Sequence, residues 1–379
     1  MSFCCIESTM NPGIWRQLPK ELLEKMLLHV PVGSLLRMRC VCKSWNTWIG
    51  SRKFLELRRK ISTTNLHPWF LSRGPSSCNT ECISFPAYDP AMNRWFDLPC
   101  TCLDRNKGSF ELVASAGGLL LVKPSGIGAV AKALYVVNPL RRLFNAVSLL
   151  PEAFGVEPTY TAMVHNASTN SYQIVMASNL SRHRDRTTRF YDSAVGSWTT
   201  KGQLPRRFCC SDFAAKAGVL CNGWIYWLGF RGYYFAVGFN LRTGVWSKTR
   251  WRIPAAVVGP HLVERNGSLL LVGGTDKLLW RMNCYPAPKS IGIWELDRKK
   301  GEWIEALRLP KPMVKELRKK ISFEDFCCVG RNGFLYISDD VIDRVVAYNM
   351  QENSWHWLPA PSRPGHSWTI FEPSFDATV

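Results

Sequence analysis

A unit of about fifty residues recurs six times along the chain, and this repeat constrains the fold more than any other feature of the sequence. Each copy contains an apolar run ending in Asp or Asn, a few turn-forming residues, an aromatic residue and, in most copies, Leu-Pro. The aromatic position is occupied by Trp95, Phe144, Trp198, Trp246, Trp303 and Trp355. A chain with this period is expected to fold as an array of similar units.

A second element, a tight turn before an apolar strand, precedes the first in most copies. It is Gly117-Gly118 in one unit and Asn-Gly at 222–223, 266–267 and 332–333 in three others. Asn-Gly between apolar runs favours a β-hairpin. Each unit is therefore interpreted as strand, tight turn, strand, Asp/Asn turn, and a strand that carries the aromatic residue. A period near fifty is typical of kelch-type propeller blades, so six copies predict an all-β, six-bladed propeller over residues 69–372, with the aromatic residues packed between blades.

The ring also needs a closing strand, because an open propeller would expose a strand edge. The segment 366–371, which contains Trp368 and Phe371, is predicted to complete the first blade. Three irregularities weaken the pattern. Phe144 replaces Trp, the third unit lacks Asn-Gly, and only Gly273-Gly274 approaches a diglycine after its strand.

The N-terminal part has helical periodicity instead. A helix is predicted from Pro19 to Pro31, a second with Gly33 and Ser34 at its N-cap, and a third with Ser44 at its N-cap. About forty residues bury too little surface to be stable without support. This all-α module therefore either caps the rest of the chain or docks on a partner, and periodicity alone does not distinguish the two.

The order of residues in this module adds information. Leu18-Pro19, Leu22-Leu23, Val30-Pro31 and the run from Leu35 to Trp45 closely resemble the F-box of plant F-box/kelch-repeat proteins. The resemblance implies a three-helix F-box at 12–58, a linker at 59–68, and docking on the Skp adaptor, and through it the cullin, of a Skp–cullin–F-box ubiquitin ligase. It implies adaptor-binding roles for Leu18, Pro19, Leu22, Leu23, Met26, Leu27, Val30, Pro31, Leu35, Leu36, Val41 and Trp45. Val41 and Trp45 would also hold the module together.

Composition restricts the class of protein. No run approaches the ~18 apolar residues of a membrane-spanning helix, and no signal peptide precedes the module, so we expect a soluble protein of the nucleus or cytoplasm. Fourteen cysteines in a reducing compartment are expected to be thiols. The only conceivable metal cluster, Cys78, Cys82, Cys100 and Cys102, lacks the spacing of a zinc site.

The net charge is +19, and residues 14–60 hold eleven Lys or Arg against three Asp or Glu. Such a basic module suits an acidic partner, and the resemblance implies an acidic adaptor. Nucleic acid is the competing explanation, although basic residues cluster only at 181–189 and 311–320.

No catalytic motif is present, so neither catalysis nor a cofactor is expected. Gly126-Ile127-Gly128-Ala129-Val130-Ala131 matches a dinucleotide fingerprint, but a strand rather than a helix follows it. The chain is thus predicted to be the substrate-recognition subunit of the ligase, with nucleic-acid binding as the alternative. The target is predicted to meet loops of one propeller face, with Arg182, Arg184, Arg231, Tyr233, Trp280, Arg281 and Tyr285 as candidate contacts.

Overall fold

The computed structural model describes residues 19–61, 68–72, 83–100, 109–125, 134–147, 160–177, 186–208, 217–275, 289–318, 326–339, 344–360 and 368–379. The chain divides into two compact units, Met1–Asn65 and Leu66–Val379. The described part of the first unit is helical, and that of the second is almost entirely β-sheet.

The helical unit, residues 19–61, contains α1 (Lys20–His29), α2 (Val32–Met38), α3 (Lys43–Ile49) and α4 (Arg52–Ile61). The last helix continues beyond residue 58, where the sequence predicted the F-box to end.

The predicted N-caps of the second and third helices are wrong. Pro31 caps α2, and its carbonyl accepts the N–H of Leu35 at 3.0 Å. Cys42 caps α3, and its carbonyl accepts the N–H of Asn46 at 3.1 Å. Neither cap uses a side chain, because an extended residue that ends a turn can supply the first helical carbonyl by itself.

Six antiparallel sheets form the propeller, as the repeat predicted. Blade 1 contains β1 (Trp69–Ser72), β2 (Ser84–Asp89), β3 (Arg94–Pro99) and, as its innermost strand, β25 (Trp368–Phe371); blade 2 contains β4 (Ser109–Ala116), β5 (Leu119–Ser125), β6 (Leu134–Asn138) and β7 (Leu143–Val147); blade 3 contains β8 (Tyr160–Asn166), β9 (Ser171–Ala177), β10 (Thr187–Asp192) and β11 (Ser197–Gln203).

The other three blades follow the same order from the inside outward. Blade 4 contains β12 (Val219–Cys221), β13 (Trp224–Phe230), β14 (Tyr234–Asn240), β15 (Val245–Trp246) and β16 (Trp251–Arg252); blade 5 contains β17 (Val257–Arg265), β18 (Ser268–Thr275), β19 (Ser290–Asp297) and β20 (Glu302–Arg308); blade 6 contains β21 (Phe326–Arg331), β22 (Phe334–Asp339), β23 (Val345–Asn349) and β24 (Ser354–Trp357). A helix, α5 (Lys311–Arg318), follows β20.

Both turn motifs of the repeat lie at one end of the blades, which we call the turn face. In the Asn-Gly turns both residues have positive φ, for example 49° at Asn222 and 74° at Gly223, as a type I′ hairpin requires. Blade 3, which lacks Asn-Gly, has a longer turn with Asn170 at 52°. In every blade the Asp or Asn at the equivalent position of the repeat accepts, through its side-chain Oδ1, the backbone N–H two residues later. These residues are Asp89, Asn138, Asp192, Asn240, Asp297 and Asn349.

The ring closes through the predicted strand. β25 pairs antiparallel with β1 over four residues, from Trp69 opposite Phe371 to Ser72 opposite Trp368. The ring of Phe70 stacks on Trp368 at 4.5 Å and on Tyr336 of blade 6 at 4.9 Å. Residues about 300 positions apart are thereby joined into one blade, and that blade packs on its neighbour.

Five of the six repeat aromatics pack against the preceding blade, as predicted. The indole Nε1 of Trp246 donates to Thr188 Oγ1 of blade 3 at 2.8 Å, and that of Trp95 donates to the Pro359 carbonyl after blade 6 at 2.6 Å. Phe144 is the exception: it is 44% exposed and contacts Tyr135 of its own blade. Phenylalanine has no N–H with which to bond the preceding blade.

The residues after β25 cross the turn face of blades 2 and 3. Asn138 of blade 2 donates to the Ala377 carbonyl at 2.8 Å, and Asn170 of blade 3 donates to the Asp376 carbonyl at 2.9 Å. Phe375 and Ala377 are buried. This C-terminal strap, residues 372–379, therefore packs with the propeller beyond the residue at which the sequence predicted it to end.

Removal of the closing indole should destabilise the propeller. Trp368→Ala is expected to lower the free energy of unfolding by about 3–5 kcal/mol, because a fully buried aromatic ring is lost from the closing blade. Denaturant unfolding followed by circular dichroism measures this. Val195→Ala, at a position 72% exposed, is the control. Equal stability of the two variants would contradict a closing role.

The strap should stabilise blade 2 separately from the turn it contacts. Asn138→Ala and Asn240→Ala both remove the Oδ1 acceptor of a blade turn, but only Asn138 also bonds the strap. The Asn138 variant is expected to lose about 1–3 kcal/mol more, since it leaves a buried carbonyl unpaired. The same denaturant titrations compare the two. A larger loss at Asn240 would count against the strap.

Candidate functional site

Three large apolar side chains of the helical unit are exposed. Leu22 and Met26 lie one turn apart on α1 and are 46% and 42% exposed, and Val41, between α2 and α3, is 65% exposed. Residues four apart in a helix share a face. We call Leu22, Met26 and Val41 the apolar trio. Exposed apolar groups of this kind on a small module mark a surface for another protein.

Other apolar residues face inward and hold the helices together. Leu27 and Leu35, predicted to bind the adaptor, are 3% and 0% exposed. Ile49 and Phe54 are also buried, and the ring of Phe54 meets Trp48 edge-on at 5.8 Å. Leu27 and Leu35 therefore serve the interior of the unit. Val41, expected to stabilise the module, is instead the most exposed member of the trio.

The remaining predicted residues occupy the border between these two surfaces. Pro19 and Pro31 are exposed N-caps, and the Pro19 carbonyl accepts the N–H of Leu22 and Leu23. Leu18 lies outside the described residues. Side chains of intermediate burial are Leu23, Val30, Leu36 and Trp45.

The helical unit also exposes several basic side chains. Lys25, Arg37 and Lys43 are exposed, and the Lys20 side chain, 82% exposed, pairs with Glu24 only at 3.9 Å. An exposed ion pair this long contributes little to stability. The helical unit thus exposes both apolar side chains and basic ones, here called its basic rim, and this combination suits an acidic partner.

The propeller presents its longer connections at the end opposite the turn face. Connections between the second and third strands of a blade, and those between blades, leave the strands at this end, which we call the loop face. Arg231 and Tyr233 lie between β13 and β14. Outside the described residues are Arg182, Arg184, Trp280, Arg281 and Tyr285.

Arginines that the sequence prediction did not single out accompany Tyr233. The guanidinium of Arg252 lies 4.7 Å from the Tyr233 ring centroid, and that of Arg250 lies 5.3 Å from the Phe235 ring. These contacts hold the guanidinium groups flat on aromatic rings. The sequence signal for them is the alternation Arg250-Trp251-Arg252 on a short strand.

A cavity of about 360 Å³ follows the centre of the propeller and is lined by its innermost strands. Arg331 Nε donates to Glu372 Oε1 at 2.6 Å beside it, and His261 Nδ1 accepts the Cys328 N–H at 3.3 Å. These two pairs of polar groups are thus engaged with each other. Within the described ranges no cluster of His, Cys, Asp or Glu could hold a metal ion.

Of the four cysteines whose spacing argued against a zinc site, only Cys100 is described, and it is a buried thiol. The dinucleotide-like segment 126–131 also lies outside the described residues. Among the helices that the structure describes, none has the length and apolar character needed to cross a membrane.

Comparisons with known proteins agree with this architecture. Residues 15–57 match the F-box domain family. An F-box/kelch-repeat protein of Arabidopsis thaliana is 26% identical over 98% of this chain and 90% of its own length. The Arabidopsis protein UNUSUAL FLORAL ORGANS is 25% identical over 92% of this chain and 80% of its own, and the Arabidopsis SKP1-interacting partner 15 is 23% identical over 90% and 91%.

These similarities span both units of the chain. The helical unit contains the residues that match the F-box, and the six blades contain the residues that match the rest of the relatives. The chain carries an N-terminal F-box domain followed by a six-bladed, kelch-type propeller, and it resembles plant F-box/kelch-repeat proteins over nearly its whole length.

Proposed function

We propose that this protein is the substrate-recognition subunit of a Skp–cullin–F-box ubiquitin ligase. The observation that carries the proposal is the apolar trio on an F-box domain: Leu22, Met26 and Val41 are exposed while the other side of the helices is buried. A relative of almost the same length is named for interaction with SKP1. The F-box would bind the acidic Skp adaptor through the trio and its basic rim, and the adaptor would connect it to the cullin.

The propeller would hold the protein that is to be ubiquitinated, and other subunits of the ligase would carry out the transfer. This chain would then act as a receptor and not as an enzyme, in the nucleus or the cytoplasm. Its loop face is the better candidate for target contact, because the turn face of blades 2 and 3 is covered by the strap.

Nucleic-acid binding remains the alternative because of the net charge of +19. Two details weaken it. In the 181–189 cluster, Arg189 is 7% exposed and Arg186 Nη1 donates to the Leu204 carbonyl at 3.0 Å. In the 311–320 cluster, α5 buries Val314 and Leu317 against the sheets, so its lysines lie on the solvated side of a packed helix.

The trio should be the energetic centre of adaptor binding. Leu22→Ala combined with Met26→Ala is expected to weaken binding to the Skp adaptor by about a thousandfold, because two interface hot spots that cost about 2 kcal/mol each lose about 4 kcal/mol together. Isothermal titration calorimetry with purified adaptor and full-length protein measures this.

Leu143→Ala combined with Ile304→Ala is the matched control, since both side chains are similarly exposed but lie on the propeller. The control should bind the adaptor like wild type. An adaptor affinity that the trio substitutions leave unchanged would remove the basis of the proposal.

The loop face should decide which target is captured. In this experiment the protein is cross-linked to its bound partners and purified. Arg231→Glu combined with Tyr233→Ala is expected to lower the amount of co-purified target protein by roughly fivefold or more, since charge and ring contacts are lost together. Adaptor recovery should stay unchanged. Quantitative mass spectrometry compares this variant with Arg141→Glu/Leu143→Ala, which alters two exposed residues of the turn face. Identical losses from both variants would argue against a loop-face target site.

A further inference from the structure

The outer strand of blade 4 is broken, unlike the described outer strands of the other five blades. Its two pieces, β15 and β16, both pair with β14: Trp246 is opposite Phe239, and Trp251 is opposite Ala236. Four residues, 247–250, therefore span a gap that two residues of β14 cover, so the chain bulges outward there. Blade 4 is also the unit whose repeat lacks Leu-Pro.

Aromatic rings line the gap that the bulge opens. Tyr226 is buried, its ring lies 5.7 Å from that of Trp251 in an edge-on contact, and it stacks on Trp224 at 6.5 Å. Gly238 is required beneath them, because a Cβ there would lie 2.9 Å from the Tyr226 ring. The resulting notch, lined by Trp224, Tyr226, Trp251 and the bulge, is open to solvent and has a volume of about 260 Å³. Pockets for drug-sized ligands start near 300 Å³, so the notch suits a single large side chain.

Two cations border the notch. Lys248 lies on the bulge, and Arg298 reaches over from blade 5. The Arg298 guanidinium is 5.3 Å from the Tyr226 ring and donates from Nη2 to Cys221 Sγ at 3.3 Å, so its position is fixed. Burial raises the pKa of the Cys221 thiol, which therefore stays neutral beside this arginine.

Acidic groups do not neutralise these cations within the blade. Residues 213–263 contain six Lys or Arg and no Asp or Glu. Nearby on blade 5, Asp297 Oδ1 accepts the backbone N–H of Lys299 at 2.9 Å and of Lys300 at 3.1 Å. On the same blade Glu264 Oε1 accepts the Gly267 N–H at 2.8 Å. Both carboxylates keep their charge, and Glu264 acts on the Cys221 thiol that Arg298 contacts, so the positive field at this rim comes from the cations of blade 4 itself.

We propose that the notch binds a short acidic segment of the target protein, with one aromatic or large aliphatic side chain inserted between Trp224 and Trp251 and flanking Asp or Glu residues paired with Lys248 and Arg298. The inserted side chain of the target buries apolar area in the notch, and the flanking carboxylates form ion pairs with the cations at its border. This inference rests on the proposed receptor function and specifies the chemistry of its target. The notch lies along the outer edge of blade 4: Trp224 and Arg298 are at its turn-face end, and Arg252, the residue after Trp251, contacts Tyr233 of the loop face.

A peptide suits the notch better than a nucleic acid does. Single-stranded nucleic acid binds on open aromatic rings, where successive bases stack. Here Tyr226 is buried beneath Arg298, and Tyr233 is covered by Arg252. A flat guanidinium on a ring still directs its N–H groups outward, which is the geometry that carboxylates accept.

The test uses the full chain bound to the Skp adaptor and a fluorescein-labelled heptapeptide with a central Trp flanked by Asp and Glu. Fluorescence anisotropy compares it with the same peptide carrying Ser at the centre and with a single-stranded thymidine oligonucleotide. Wild type is expected to bind the Trp peptide about tenfold more tightly than the Ser peptide. Lys248→Glu and Trp251→Ala should each remove most of that preference, whereas Lys311→Glu, an equal charge change on α5, should not.

Lys248 is exposed, so Lys248→Glu keeps the test informative if Trp251→Ala fails to fold. Equal affinity of wild type for the two peptides, or no loss in Lys248→Glu, overturns the inference. Binding of the oligonucleotide instead, weakened by the same variants, assigns the notch to nucleic acid and also overturns it. Adaptor binding is measured on the same samples: a complex that forms but ignores the peptide refutes only the notch, whereas peptide binding by a chain that cannot hold the adaptor refutes only the receptor function.

Discussion

The pairing of β25 with β1 is the interaction on which the propeller depends. No blade buries both faces of its sheet alone, so each needs a neighbour on either side, and the ring exists only if the last blade meets the first. The four residues of β25 provide that link. The Phe70 ring, stacked between Trp368 and Tyr336, extends the contact to blade 6. The same need explains the repeat aromatics, which reach backward to the preceding blade.

Closure leaves the two ends of the propeller with different tasks. Short turns occupy the turn face. Some contain Asn-Gly pairs, and in others an Asp or Asn side chain accepts the backbone N–H groups of the turn. Longer connections leave the other end. Short turns fix the strand register and tolerate little change, whereas loops on a rigid frame accept varied sequences and carry recognition. A receptor built this way separates the residues that hold the ring from those that select a ligand.

Much of this fold is predictable because its signals are local. Asn-Gly turns, Asp and Asn caps and an aromatic every fifty residues each act within a few residues of their position, so the six blades and the closing strand followed from the sequence. Burial is not local. Leu22 and Leu27 belong to the same helical pattern of apolar residues in the sequence. Only the packing of α1 within the unit determines that Leu27 is buried and Leu22 is exposed. The notch was not predicted for a similar reason. The absence of Leu-Pro from this repeat does not show that the outer strand is broken; that is visible only from the pairing of β15 and β16 with β14.

The distance in sequence between β1 and β25 also has a consequence for synthesis. The F-box helices leave the ribosome about 300 residues before the strand that completes blade 1, and domains form in the order in which they emerge. A nascent or prematurely terminated chain would therefore carry a finished F-box on an open ring of blades. Such a fragment could occupy the adaptor without a complete receptor, and its unpaired β1 edge would invite aggregation.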